Sequence, residues 1–377
     1  MRNMLLALLL STPLLAQDGV GKVSFANSGA PQAQDAFARG LALLHNFEYP
    51  DAAEAFREAQ QIDPKFAMAY WGEAMTHNHP IWFRQDAAAA REILKRLDRS
   101  SAPMTDRERA YLATLDVLYG EGPKNDRDLK YAEAMRALHE RYPDDVDATA
   151  FYALSLLGTA HEGRDFATYM RAAALLEEVF PANQRHPGVL HYLIHSYDDP
   201  VHAPLGMRAA RLYGAVAPNA AHALHMTSHI FVAMAMWDDV IDANRRAVDV
   251  VNRQRAARNR PPQDCGHYPT WLHYGYLQTN RIDEARKALD ACRAFASRAS
   301  VANFFDEYAA MRAHHIANGH AAGESLVQIP EGAEFADARY TLAYADVLAA
   351  ANDREALPRA VARLRELQKP VLEVAAK

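Results

Sequence analysis

Apolar residues recur at three- and four-residue spacing from about Asp35 onward, and the period-two alternation of a half-buried strand is nearly absent. The pattern predicts helices throughout. Residues 131–143, 166–181 and 205–218 each read as a helix closed by proline, and 240–251 and 282–296 as two more, the latter preceded by the turn Asn280-Arg281. Residues 308–320 and 336–350 read as further helices. Two stretches break the pattern. After Tyr70-Trp71-Gly72-Glu73 comes an aromatic and histidine-rich insertion, His77-Asn78-His79-Pro80-Ile81-Trp82-Phe83, and residues 253–268, with Pro261-Pro262, form an unusually long connection.

The first helix pair, residues 33–66, places Gly40 in one helix, Ala52, Phe56 and Ala59 in the next, and Pro64 behind it. That spacing resembles the tetratricopeptide repeat, in which a small residue lets two helices touch, an aromatic fills the gap and proline ends the unit. The resemblance covers roughly residues 33–297. It implies an all-α fold, a tetratricopeptide-like helical-hairpin solenoid wound as a right-handed superhelix, with first helices lining a concave groove that binds a peptide or partner protein. The expected organisation is a signal peptide over 1–16, an extension over 17–32, the repeat array over 33–300 and capping helices over 301–377.

The signal-peptide reading rests on Arg2, the apolar run from Met4 to Leu10 and the small residues before Gln17. With no run long enough to span a bilayer, the expectation is a secreted or periplasmic protein without a membrane span. A net charge of −6 argues against nucleic acid as a partner. The two cysteines, Cys265 and Cys292, are too few for a thiolate zinc site and suit one disulfide, the alternative being two unrelated buried thiols.

The candidate chemistry is histidine. Of 17 histidines, His186, His191, His195, His202, His222, His225 and His229 fall within one short block. His191/His195 and His225/His229 are i,i+4 pairs, and the second pair follows the first by 34 residues, the repeat period itself. Equivalent positions on adjacent first helices predict four imidazoles converging on a divalent transition metal, zinc, copper or iron. His222, Asp198, His161 and His267 are further candidate ligands, with Asp199 a weaker one; Glu73, Glu162 and Asp198 are acid/base candidates if the ion supports catalysis. The block, with its His-Pro-Gly, His-Tyr-x-Ile-His and Ser-His-Ile-Phe elements, also resembles bacterial secreted tetratricopeptide-containing proteins, a likeness that implies no activity.

Other readings of these residues stand beside that one. Helical histidine pairs also occur as hydrogen-bonded core residues or as pH-sensitive clusters. His45, His139, His202, His314, His315 and His320 read as surface or capping residues, and His186-Pro187-Gly188 as a helix start. Met207, Met226, Met234 and Met236 suit core packing better than copper. A groove that holds a peptide, protein or small molecule without any metal, and a haem held by one histidine of each pair, are the competing functions. The latter lacks a Cys-x-x-Cys-His attachment motif.

Overall fold

The computed structural model describes residues 19–298, 301–321 and 327–375, so the expected signal segment lies outside the described residues. Among the described residues the chain forms seventeen α-helices and one two-residue antiparallel ladder, the all-α architecture expected. It divides into two compact units. The first ends at Ser196 and also takes Ala215–Ala220, and the second comprises Tyr197–Gly214 and the chain from Ala221 onward.

The first unit contains α1 (Gln34–His45), α2 (Tyr49–Ile62), α3 (Ala67–Met75), β1 (Asn78–His79), β2 (Arg84–Gln85), α4 (Ala87–Lys95), α5 (Asp106–Leu118), α6 (Lys124–Arg141), α7 (Val146–Leu157), α8 (Phe166–Val179) and the part of α9 (Pro187–Tyr197) up to residue 196. Short polar side chains start several helices by accepting orphan amides: Asp86 before α4, Asp145 before α7 and Asp165 before α8. Thr105 and Glu108 form a reciprocal capping box at α5. The α1–α2 hairpin has the glycine–aromatic contact expected from the sequence. Phe56 is fully buried, and a Cβ on Gly40 would sit 2.9 Å from its ring, on Gly72 of α3 only 2.3 Å. Two glycines therefore clamp one aromatic ring. The extension is not loose either, because Phe25 packs 5.6 Å from Phe37 and 5.2 Å from Tyr111, ring centre to ring centre. The histidine-rich insertion folds as the β1–β2 ladder around a short 3-10 turn, pairing Asn78 with Gln85 and His79 with Arg84.

The second unit contains α10 (Ala203–Val216) up to residue 214, α11 (Ala221–Ala233), α12 (Trp237–Ala257), α13 (His267–Gln278), α14 (Ile282–Ala296), α15 (Ala302–Ala317), α16 (Ala336–Ala349) and α17 (Ala356–Ala375). Consecutive helices from α11 to α17 pack on one another. No described helix is long and apolar enough to cross a membrane. Cys265 and Cys292 are joined by a disulfide and buried in a cluster with Leu289, Phe305, Tyr308 and Met311. The long connection is shorter than expected, because α12 continues to Ala257 and only residues 258–266 lie between helices. Helix α17 lies in the expected capping region, where the sequence reading sets no bounds for it; Pro370 inside it interrupts the helical signal.

One local device repeats. α1, α11 and α13 each end in a left-handed residue two positions beyond the helix: Phe47 (φ 58°), Ala235 (φ 54°) and Asn280 (φ 56°). The next amide then bonds back five residues, Glu48 to Leu43 O, Met236 to Phe231 O and Arg281 to Tyr276 O, at 3.0, 2.9 and 2.9 Å. This Schellman closure reverses the chain tightly between the two helices of a hairpin. Phenylalanine and alanine tolerate the left-handed conformation at a cost of about 1–2 kcal/mol relative to glycine, so the turn is imposed by the packing of the hairpin rather than by local preference.

Candidate metal centre

Helix α11 projects His225 and His229 from one side, one turn apart, and the first residue of α13 brings His267 to them. A ring nitrogen of each lies within 4.8 Å of the others. The α11 and α13 helices are both held against α12, which fixes the relative position of the three rings.

The proton positions follow from the hydrogen bonds. Asn244 on α12 donates from Nδ2 to Val240 O at 2.9 Å, so its Oδ1 faces His225 Nδ1 at 2.7 Å. His225 Nδ1 must then be the N–H. His229 Nδ1 lies 2.7 Å from Asp198 Oδ2 and donates to that carboxylate. In the neutral rings both Nε2 atoms then carry lone pairs, and they stand 3.1 Å apart, a distance at which one proton or one metal ion can be shared between them. Two lone pairs at that distance repel unless a proton or a metal cation lies between them. Metal–nitrogen bonds of about 2.0–2.1 Å in tetrahedral geometry place ligand nitrogens roughly 3.3 Å apart, close to the separation seen. His267 Nδ1 is 3.6 Å from Glu307 Oε1 on α15. His225 and His229 thus each have a hydrogen-bonded oxygen at Nδ1, the arrangement by which outer groups orient metal-binding histidines, while Glu307 stands beyond hydrogen-bond distance of His267.

Burial and the neighbouring imidazoles His229, His267 and His222 hold the His225 pKa well below its ordinary value, so its ring is neutral and able to ligate at neutral pH. Trp271, four residues after His267, covers the rings of His229 at 4.5 Å and His225 at 4.9 Å. Tyr268 packs on His225 at 4.9 Å. His267 itself remains 54% exposed, leaving one side of the cluster open to solvent.

The other candidates take different places. His222 lies 6.0 Å from His225, ring centre to ring centre. Asp198, expected as a ligand or acid/base group, instead accepts from His229. Asp199 is used locally, receiving the amides of Val201 and His202 and the His202 ring. His191 and His195 belong to the first unit, with ring centres 4.8 Å apart, and His191 Nδ1 donates to His45 O at 2.6 Å. His161 is committed to Asp128 at 2.9 Å and packs on Phe83. Glu73 is ion-paired with Arg96 and Arg57 and accepts from Gln60, a structural rather than a catalytic setting. Glu162 is exposed on the loop between α7 and α8.

A second cluster in the first unit is chemically distinct. His45 Nε2 and His186 Nε2 lie 2.8 and 3.2 Å from the same oxygen, Asp147 Oδ1, and all three side chains are buried. The amide of Val189 donates to His186 Nδ1 at 3.3 Å, so His186 carries its proton on Nε2 and gives it to Asp147. Here the His186 nitrogen donates to a carboxylate and presents no lone pair to an ion. The His-Pro-Gly element is explained in the same terms: His186 caps α9, Pro187 occupies its first position, and a Cβ on Gly188 would lie 2.3 Å from His45 Nδ1. His45, read from sequence as a surface or capping residue, is fully buried. So is His315, whose Nδ1 lies 3.2 Å from His273 Nε2.

No family model matches the chain, and no curated protein matches it. Among solved structures, yeast Tom70 aligns over 91% of this chain and 88% of its own, at 10% identity and a TM-score of 0.34. Neither value bears on function or partners.

Proposed function

We propose that the second unit binds one divalent transition-metal ion, zinc, copper or iron, through His225, His229 and His267. The observation that carries this reading is the convergence of three imidazoles, two of them with Nε2 atoms 3.1 Å apart and an oxygen acceptor on each Nδ1. An all-imidazole donor set suits those three metals. Three protein nitrogens with a remaining position form the set in which bound zinc brings a water near pKa 7. This chain's own groups would then orient the ligands through Asn244 and Asp198 and exclude water on one side through Trp271. The buried disulfide supports an oxidising, extracytoplasmic setting.

The test is elemental analysis of untagged protein beside the variant H225A/H229A/H267A. Near-stoichiometric metal lost from a still-helical variant supports the site and names the ion. A wild type that neither carries nor takes up zinc, copper or iron removes it, leaving a helical scaffold for a peptide or partner protein as the better account.

A further inference from the structure

His225 and His229 are set within one helix, 0% and 18% exposed, and braced by Asn244 and Asp198. His267 is held differently. It is the first residue of α13, more than half exposed, and follows the nine-residue connection 258–266. Its nearest anchor is covalent: Cys265, two residues earlier, is bonded to Cys292 of α14 and is itself fully buried. Between them Gly266 takes φ 135°, a conformation that side-chain-bearing residues rarely adopt, and it turns the chain from the bridge into the helix.

We infer that the Cys265–Cys292 bridge is the positioning device for the third ligand, so that metal capture follows oxidation of these two thiols. The inference rests on the metal site proposed above. Oxidation removes a proton from each thiol and joins the sulfurs, and the two electrons pass to a disulfide oxidant, which leaves as a dithiol. Before that step the connection and its histidine are anchored only by non-covalent contacts, and the site has two well-placed nitrogens. Afterwards it has three. Both sulfurs are buried, so a folded, oxidised chain resists reduction and keeps its ligand set.

The experiment measures zinc and cobalt affinity by competition with a chromophoric chelator in a double-mutant cycle: wild type, C265A/C292A, H267A and the triple variant. The expected result is at least a tenfold loss for C265A/C292A, a similar loss for H267A, and no further loss when the two are combined, because both act through one ligand. A second variant keeps the bridge but inserts two glycines between Cys265 and Gly266; it is expected to match H267A, and it serves where the cysteine variant fails to fold. Wild-type affinity in C265A/C292A or in the insertion variant overturns the inference while leaving the metal site intact. Additive losses overturn it as well, since the bridge would then act elsewhere. A wild type that binds no metal instead refutes the site itself.

Discussion

Replacing Asn244 by leucine tests the proton arrangement on which the metal reading depends. Asn244 is fully buried, and its Oδ1 is what keeps the His225 proton on Nδ1. Leucine has similar volume but no acceptor. In the metal-free protein the imidazole can respond by moving its proton to Nε2 and donating to His229 Nε2, already 3.1 Å away. One hydrogen bond is exchanged for another, and the metal-free protein loses only about 1 kcal/mol. The metal-bound form has no such escape, because Nε2 must be deprotonated to ligate and Nδ1–H is then buried without an acceptor. Outer-sphere losses of this kind weaken metal binding roughly 10–100-fold, or about 1.4–2.8 kcal/mol. Asn244→Asp retains an acceptor at the same place and is expected to bind nearly as tightly as wild type. Affinity is read by chelator competition, and stability by urea unfolding of the metal-free proteins. The reasoning fails if the leucine variant holds metal as tightly as wild type, or if the aspartate variant loses as much as the leucine one.

Three further outcomes follow from the interior. Burial lowers the pKa of His45 to about 4 and of His273 to about 3, so the unfolded chain binds protons these sites refuse. Stability is then full above about pH 6.5 and falls on acidification toward pH 4, by up to about 1.4 kcal/mol per pH unit for each histidine; urea midpoints taken from pH 8 to 4.5 check this, and a flat profile contradicts it. Removing the disulfide, whose cysteines are 27 positions apart, is expected to cost about 3.5 kcal/mol through the restored freedom of the unfolded chain, measurable as a lower urea midpoint with an unchanged helical spectrum. Gly72→Ala, which drives a methyl to 2.3 Å from the Phe56 ring, should destabilise by about 1–3 kcal/mol and by more than Gly40→Ala, where the approach is 2.9 Å.

Helix content and the first hairpin were legible because they depend on short-range spacing. Gly40 packs against Phe56 as their spacing predicts, and α14 begins and ends where the turn Asn280-Arg281 and the apolar spacing place it. His225 and His229 were legible for the same reason, as an i,i+4 pair. Trp271, four residues after His267, was within reach of the same argument. Asn244 and Glu307 were not, because they reach the site from α12 and α15 through packing that no local spacing encodes. His45 illustrates the limit most sharply. Its partner Asp147 is 102 residues away, and nothing around His45 distinguishes a buried acceptor-bound ring from one at the surface.

Clustered histidines alone therefore do not specify chemistry, as three groups in this chain show. Around Asp147 two imidazoles face one carboxylate oxygen, and His186 gives its proton to it. His273 and His315 contact each other across α13 and α15, where burial keeps both neutral, and two nitrogens offer an ion too few ligands. At His225 and His229, Asn244 and Asp198 draw the Nδ1 protons outward and the Nε2 atoms face a common point, with a third histidine beside them. In the proposed metal site the second hydrogen-bond partner of His225 and of His229 is an oxygen that accepts, whereas that of His186 is an amide that donates. A substitution at that partner, leaving every histidine in place, is consequently the more discriminating probe of function than removal of the histidines themselves.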